Sequence, residues 1–176
     1  MEATCTGSTG KSPHFLLVFD FDNTIINGNT DGEIIRAQRL LGKISSGMNY
    51  VTDSQGWSFT MSNALKELYE NGSTPNEVCK IVTDIPLVDG MKDVFQVLEK
   101  FKGKHDIIML SHSNTVFVDE ILKFQRVEHI FDEIHTYKAN WSEDGLLKVD
   151  PYTDEKKCPY CPSDFCKGKN IIYCDT

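Results

Sequence analysis

One short stretch near the amino terminus constrains the fold of this chain more than any other. Residues 15–19 read Phe-Leu-Leu-Val-Phe, and Asp20, Asp22 and Thr24 follow at alternate positions. A continuous apolar run of this length predicts a strand buried in a parallel sheet. In open α/β folds, ligands bind just beyond the carboxyl ends of such strands. The stretch therefore predicts an α/β fold with a functional site directly after its first strand.

The two acidic residues of this stretch favour phosphoryl-transfer chemistry. Such chemistry needs an in-line nucleophile, a cation on the phosphate oxygens and a proton donor for the leaving oxygen. We expect Asp20 to be the nucleophile and Asp22 the general acid and base, with both residues binding Mg²⁺ through oxygen atoms. Thr24 is a candidate for binding phosphate or substrate. The alternative is that the acids cap a helix or shape its turn, although two close carboxylates repel each other unless a cation holds them.

Charge and composition restrict the possible partners. The 176 residues include 18 basic and 26 acidic side chains, a net charge of −8. This balance argues against a general nucleic-acid-binding protein, whose affinity comes from clustered lysine and arginine. No segment approaches the roughly 18 apolar residues of a membrane span, and residues 1–13 lack a signal-peptide core. We expect a cytoplasmic protein without nucleic-acid or membrane partners, in which any anionic substrate is bound at a local site. The sequence does not indicate the oligomeric state.

The apolar pattern predicts alternating strands and helices. Further strands are expected at residues 107–110 and 130–135, each preceded by helical sequence, which gives a Rossmann-like parallel sheet flanked by helices. Residues 138–169 turn polar, and we expect irregular structure there.

The same pattern suggests how the chain is divided. We expect a disordered leader at residues 1–13, a core formed by residues 14–29 and 85–176, and a small helical cap inserted at residues 30–84. Substrate choice is expected to depend on the inserted cap, whose contacts cannot be deduced from the pattern.

The second predicted strand also ends in polar residues, Ser111-His112-Ser113-Asn114. The hydroxyl of Ser111 and the amino terminus of the next helix could together hold a phosphate group. The alternative is a plain helix cap, which these four residues alone favour because serine and asparagine are the commonest capping residues.

Five motifs in one order resemble a phosphatase family. They are Phe19-Asp-Phe-Asp-Asn-Thr-Ile-Ile26, Asn29-Thr-Asp31, Ile85-Pro-Leu-x-x-Gly-Met91, Ser111-x-Ser-Asn-Thr-Val-Phe-Val118 and Cys158-Pro-x-Cys-Pro-x-x-x-Cys-Lys167. Together they resemble the haloacid-dehalogenase-type phosphatases that include phosphoethanolamine/phosphocholine phosphatase and pyridoxal phosphate phosphatase. The resemblance implies a haloacid-dehalogenase-like core with a small cap. It also implies Mg²⁺-dependent hydrolysis of a small phosphomonoester, of the pyridoxal phosphate or phosphoethanolamine/phosphocholine type, through an aspartyl-phosphate.

The resemblance also implies roles for single residues. Asp20 would be the nucleophile and a metal ligand, and Asp22 the acid/base and second metal ligand. Ser111 would bind the phosphate, and Lys167 would match a lysine that stabilises the aspartyl-phosphate. Asp31 would match an acidic residue associated with substrate choice at the mouth of the cap.

Two features depart from the family pattern. The family usually has aspartate after the serine of the second strand, whereas this chain has His112, which replaces an anion with a titratable imidazole. His112 is thus a candidate for contacting the substrate. Because an anion is missing at this position, recognition of a cationic amine substrate is in question. The family also continues to a Gly-Asp-Gly-x-Asn-Asp motif that completes the magnesium site, and these 176 residues contain none.

The missing motif leaves a second function open. Asp175 follows the apolar run 171–174 but lies only eight residues after Lys167, fewer than the roughly ten to twelve that a crossover between parallel strands needs. We therefore expect a core that is incomplete at its carboxyl end. The alternative function is a truncated, catalytically impaired form that binds phosphate ligands or a partner without turnover.

The cysteines near Lys167 allow a further alternative. Cys158, Cys161 and Cys166, with or without Cys174, could bind zinc as thiolates. The second half of the cluster lacks the paired spacing of zinc sites. A packed cysteine turn that positions Lys167 is the favoured interpretation.

Overall fold

A computed structural model describes residues 15–40, 57–150 and 165–169 of the protein. The disordered leader predicted at residues 1–13 lies outside the described residues. None of the helices within these ranges is both long enough and apolar enough to cross a lipid bilayer.

Three parallel strands form the central sheet. β1 (Phe15–Phe19) pairs with β2 (His105–Asn114), which in turn pairs with β3 (Glu133–Tyr137), so β2 is the middle strand. The register aligns Phe19 with Met109. Because the strands are parallel, the residues that follow Phe19 and Met109 reach the same edge of the sheet. The α/β class predicted from the sequence is confirmed.

The second and third strands differ from their predicted bounds at both ends. β2 extends beyond the predicted end at residue 110, because its pairing with β3 resumes at Asn114 and Tyr137 after an irregularity. β3 begins at residue 133 instead of 130, since residues 128–130 form a 3₁₀ turn. The first strand has the predicted bounds, but the prediction that it is buried is wrong, because β1 lies at the edge of the described sheet and Phe15, Leu16 and Val18 are exposed.

A short antiparallel hairpin follows the sheet. β4 (Ala139–Trp141) pairs with β5 (Leu147–Val149), and the turn between them places Gly145 at a φ of +92°. Residues with a Cβ rarely adopt that conformation, so glycine suits the turn. The prediction of irregular structure throughout residues 138–169 is wrong here. Strands of three residues are too short to show a periodic pattern.

Residues 167–169 are helical, and five longer α-helices also lie in the described ranges. They are α1 (Thr30–Leu40), α2 (Trp57–Glu70), α3 (Pro75–Thr83), α4 (Met91–Lys100) and α5 (Thr115–Gln125). The first three fall in the predicted cap segment and are helical as expected. Buried side chains of α2 and α3, such as Leu65 and Val82, belong to the same hydrophobic core as Phe117 of α5. The division into a core and a cap stays a prediction.

Helix α3 begins with a reciprocal cap between Thr74 and Glu77. The Thr74 Oγ1 accepts a hydrogen bond from the Glu77 backbone N–H at 3.3 Å, and Glu77 Oε2 accepts one from the Thr74 backbone N–H at 2.9 Å. We expect Thr74→Ala to lower the free energy of unfolding by about 1 kcal/mol, measured by urea denaturation. Asn76→Ala, in the exposed first turn of the same helix, should change it by less than about 0.5 kcal/mol. Equal losses in both variants would contradict the capping role.

Candidate functional site

The side chains of Asp20 and Lys167 meet just beyond the carboxyl end of β1. Lys167 Nζ lies 2.6 Å from Asp20 Oδ1, and both side chains are partly exposed. A distance this short is that of a charge-assisted hydrogen bond. Asp20 Oδ1 also accepts a hydrogen bond from the Phe21 backbone N–H at 2.8 Å. Lys167 is thus placed to stabilise negative charge at the Asp20 carboxylate.

A tight turn holds Asp20 at the surface. Phe21 is fully buried, whereas Asp20 and Thr24 are exposed. Asn23 has a φ of +58°, in the left-handed region that asparagine tolerates better than most residues, and its N–H donates to the Gly28 carbonyl at 2.9 Å. The buried ring and this hydrogen bond fix the turn and leave the two polar side chains accessible.

Asp22 is less accessible than Asp20 and is bonded to the start of α1. Its Oδ1 accepts the backbone N–H of Thr30 at 2.9 Å, and its Oδ2 lies 3.5 Å from the Thr30 hydroxyl. Burial raises the pKa of Asp22 above its usual value of 3.8, and the charge of Asp20 raises it further, while the bonds from Thr30 oppose the rise. A carboxyl group with a raised pKa is suited to donating and accepting a proton.

Thr30 links this acidic turn to the end of β2. Its hydroxyl lies 2.8 Å from the Ser113 hydroxyl, and both residues are buried. Thr30 was not predicted as a site residue, although it lies in the motif Asn29-Thr-Asp31. The contact depends on how α1 packs against β2, which local sequence does not specify.

The residue that caps α5 is Asn114. Its Oδ1 accepts the backbone N–H groups of Val116 and Phe117, each at 3.1 Å. Ser111 lies earlier, within β2, where it is fully buried and its hydroxyl accepts the Ser113 N–H at 3.0 Å. The helix-cap interpretation therefore applies to Asn114 and not to Ser111. A phosphate-binding role for Ser111 stays a prediction.

Asp31 and His112 line the same small cavity. Met61 of α2 and Tyr137 of β3 also line it, so both the helical segment and the sheet contribute. Asp31 is almost completely buried despite its carboxylate. The structure thus brings together the two residues that the sequence indicated as substrate-side candidates.

The structure describes only some of the residues for which metal binding was predicted. Cys166 is buried, while Cys158, Cys161 and Cys174 lie outside the described residues. Across residues 15–40, 57–150 and 165–169, no three His, Cys, Asp or Glu side chains are grouped so that they could hold a metal ion. The zinc alternative stays a prediction.

Comparison with known proteins gives the family. A family model described as "Putative Phosphatase" matches residues 15–174, and the chain belongs to this family. It is 35% identical over 157 residues to "Pyridoxal phosphate phosphatase PHOSPHO2" of Homo sapiens, covering 89% of this chain and 64% of that protein. It is 33% identical over 162 residues to the Homo sapiens "Phosphoethanolamine/phosphocholine phosphatase", covering 90% of this chain and 58% of that protein. The chain thus spans less than two thirds of the length of these curated relatives.

Solved structures share the fold. The structure described as "Phospho-Aspartyl Intermediate Analogue of Phosphoserine phosphatase" has a TM-score of 0.54 at 17% identity, covering 78% of this chain and 64% of that one. A haloacid-dehalogenase-family hydrolase from Salmonella enterica has a TM-score of 0.53 at 14% identity, covering 78% of this chain and 46% of that one. At these identities the likeness establishes the fold alone. With the family match, it confirms the resemblance to haloacid-dehalogenase-type phosphatases.

Proposed function

We propose that the protein is a Mg²⁺-dependent phosphomonoesterase that acts through an aspartyl-phosphate intermediate. The contact that carries this proposal is the 2.6 Å pair between the Asp20 carboxylate and the Lys167 ammonium at the end of β1. A partly exposed carboxylate can reach a substrate phosphorus, and a cation beside it can stabilise the charge that spreads over the phosphate oxygens. Membership of a phosphatase family supports the same chemistry.

The reaction then divides between the two acids. In the first step, an Asp20 oxygen bonds to phosphorus while the bond to the ester oxygen breaks, and the leaving oxygen takes its proton from Asp22. In the second step, Asp22 takes a proton from a water molecule, whose oxygen bonds to phosphorus and releases Asp20 with inorganic phosphate. Burial raises the pKa of Asp22, so its carboxyl group holds a proton more readily than an ordinary aspartate does. Lys167, Ser111 and Thr24 are proposed to bind the phosphate oxygens.

The donor set of the turn fits Mg²⁺. The Asp20 carboxylate and the Asp22 backbone carbonyl offer hard oxygen atoms, and Mg²⁺ is commonly held by one or two carboxylates together with waters and substrate phosphate. When bound, the ion would neutralise charge on the transferring phosphoryl group. The Asp22 carboxylate accepts a hydrogen bond from the Thr30 N–H. We therefore assign the metal contact of Asp22 to its backbone carbonyl and the acid and base role to its carboxylate.

The organic part of the substrate is proposed to lie toward Asp31 and His112. These residues share the lining of a small cavity with Met61 and Tyr137. The relatives named for pyridoxal phosphate and for phosphoethanolamine/phosphocholine favour a small phosphorylated metabolite. The cytoplasmic location and the absence of nucleic-acid and membrane partners stay predictions.

Removal of the metal tests the proposal directly. The purified 176-residue chain is expected to release phosphate from pyridoxal phosphate, phosphoethanolamine or phosphocholine when Mg²⁺ is present. EDTA should lower the rate by about a hundredfold or more, because the ion stabilises several charges of the transition state, and excess Mg²⁺ should restore it. Phosphate release is measured with a coupled colorimetric assay.

Two outcomes would oppose the proposal in different ways. Release that is unaffected by EDTA would contradict the metal dependence. No release from any of the three esters, together with phosphate binding in titration calorimetry, would favour the alternative of a form that binds phosphate without turnover.

A further inference from the structure

His112 connects the end of β2 to the segment that carries Lys167. Its Nε2 lies 3.2 Å from the backbone carbonyl oxygen of Phe165, and the two rings pack edge to face with centroids 5.5 Å apart. Phe165 is completely buried, and its ring also lies 5.7 Å from that of Tyr137. The segment 165–169 is thus anchored on β2 and β3 through the residues just before Lys167.

The chemistry of the hydrogen bond fixes which atom donates. A backbone carbonyl oxygen can only accept, so Nε2 of His112 must carry the proton. Asparagine or glutamine could also donate here, but an ionised aspartate has only acceptor atoms. Aspartate at this position could not make the bond. The contact therefore depends on an N–H donor in the side chain of residue 112.

The contact between His112 and Phe165 lies close in sequence to the lysine of the proposed active site. Phe165 lies two residues before Lys167, and Lys167 Nζ contacts Asp20 Oδ1 at 2.6 Å. Asp20 in turn follows β1, which pairs with β2. A lysine side chain has a long flexible stem, so the position of its ammonium depends on where its backbone is held.

We propose that His112 is a positioning residue whose Nε2–H bond to the Phe165 carbonyl holds Lys167 against Asp20. Its effect on turnover rests on the proposed phosphatase function, whereas its effect on the contact between Lys167 and Asp20 does not. His112 also lines the small cavity, so a loss of activity alone would not separate positioning from substrate contact. The test therefore measures Lys167 itself.

Four variants separate the hydrogen bond from the ring. His112→Gln and His112→Met have similar length and lack the ring, but only glutamine retains an N–H donor. His112→Phe retains a ring and removes the donor. Asp20→Asn removes the partner of Lys167 and shows how fast the lysine reacts without its ion pair.

The measurement is limited acetylation of the full chain, without metal or substrate, with the rate at each lysine read by mass spectrometry. Lys66 on α2 is the internal standard, since its side chain is 62% exposed against 29% for Lys167. His112→Met and His112→Phe should raise the ratio of Lys167 to Lys66 labelling by roughly fivefold, the factor expected for loss of one ordinary hydrogen bond. His112→Gln should stay within about twofold of the unmodified protein by the same reasoning.

The outcomes decide between the hydrogen bond and simple packing. If His112→Gln raises the ratio as much as His112→Met, or if His112→Met leaves it unchanged, the positioning role is wrong. If His112→Phe labels Lys66 faster as well, that variant has lost its fold, and the size-matched pair of glutamine and methionine decides.

A kinetic arm connects the contact to turnover. His112→Met should lower kcat in the parent protein but have no further effect on kcat in a Lys167→Ala background, because the positioned group is then gone. Equal losses of kcat in both backgrounds would overturn the connection. If no variant or parent turns over, the labelling result still stands, and only the proposed phosphatase function has failed.

Discussion

Asp20→Asn is expected to lower kcat for phosphate release by at least about a thousandfold, since removing a nucleophile eliminates the covalent route. Asparagine has nearly the same size as aspartate, so the turn anchored by the buried Phe21 should be retained. The amide oxygen is a poor nucleophile toward phosphorus, and the neutral side chain also removes the charge that faces Lys167 at 2.6 Å. The measurement is phosphate release with Mg²⁺ at saturating substrate.

Asp119→Asn is the matched control. Asp119 is an exposed carboxylate on α5 that pairs with Lys123 at 3.1 Å, so the substitution removes an aspartate–lysine pair that does not involve Asp20 or Lys167. Exposed pairs contribute little, and the rate should stay within about twofold of the parent. Acid-quenched parent protein should carry a phosphoryl group on the peptide that contains Asp20. Release by Asp20→Asn within tenfold of the parent would contradict the assignment of the nucleophile.

Local sequence was sufficient to predict that Asp20 and Asp22 follow directly after the first strand. The apolar run of β1 and the acids that follow it are adjacent in sequence, so their strand and their position at its end can be deduced without tertiary information. The cap of α5 shows the limit of this reasoning. Ser111 and Asn114 both suit a helix start by type, and the structure selects Asn114 because β2 continues past Ser111 to pair with Tyr137.

Contacts between distant segments could not be deduced from residue patterns. The pair of Asp20 and Lys167 was expected only from the family resemblance, since nothing in the local sequence brings the two ends of the described chain together. The bond from Thr30 to Ser113 and the anchor from His112 to Phe165 were not predicted at all. Each contact depends on the packing of whole helices and strands. The partners come within hydrogen-bond distance of each other only after the sheet and helices have assembled.

Asp22→Asn is expected to reduce turnover and at the same time to stabilise the fold. Loss of a general acid and base typically lowers the rate by about 10²–10⁴-fold, and we expect kcat to fall within this range. The local structure should be preserved, because the asparagine Oδ1 can still accept the Thr30 backbone N–H that Asp22 now accepts at 2.9 Å. Its amide nitrogen can donate to the Thr30 hydroxyl in place of the present contact.

The gain in stability follows from the sign of the pKa change. Burial raises the pKa of Asp22 in the folded state above the usual 3.8, so the folded protein binds this proton more tightly than the unfolded chain. The stabilising contribution of that proton is present below pH 3.8 and is lost as the pH rises through the raised pKa. At pH 7, well above the usual pKa of 3.8, the raised pKa of Asp22 therefore contributes unfavourably to the stability of the folded state, and asparagine, which carries no charge, removes this contribution. Tm of Asp22→Asn should exceed that of the parent at pH 7 and approach it near pH 4.

Asp144 provides a control of opposite sign. Hydrogen bonds from the hydroxyls of Ser142, at 2.6 Å, and Tyr69, at 3.0 Å, lower the pKa of Asp144. Asp144→Asn should therefore reduce Tm at pH 7, with a difference that shrinks as the pH falls through the lowered pKa. Thermal unfolding is measured without Mg²⁺ or phosphate, since ligands that bind only the folded state would stabilise it by mass action. A carboxylate that is buried because catalysis needs it should lower the stability of the fold. A Tm for Asp22→Asn at or below that of the parent at pH 7 would contradict this expectation for Asp22.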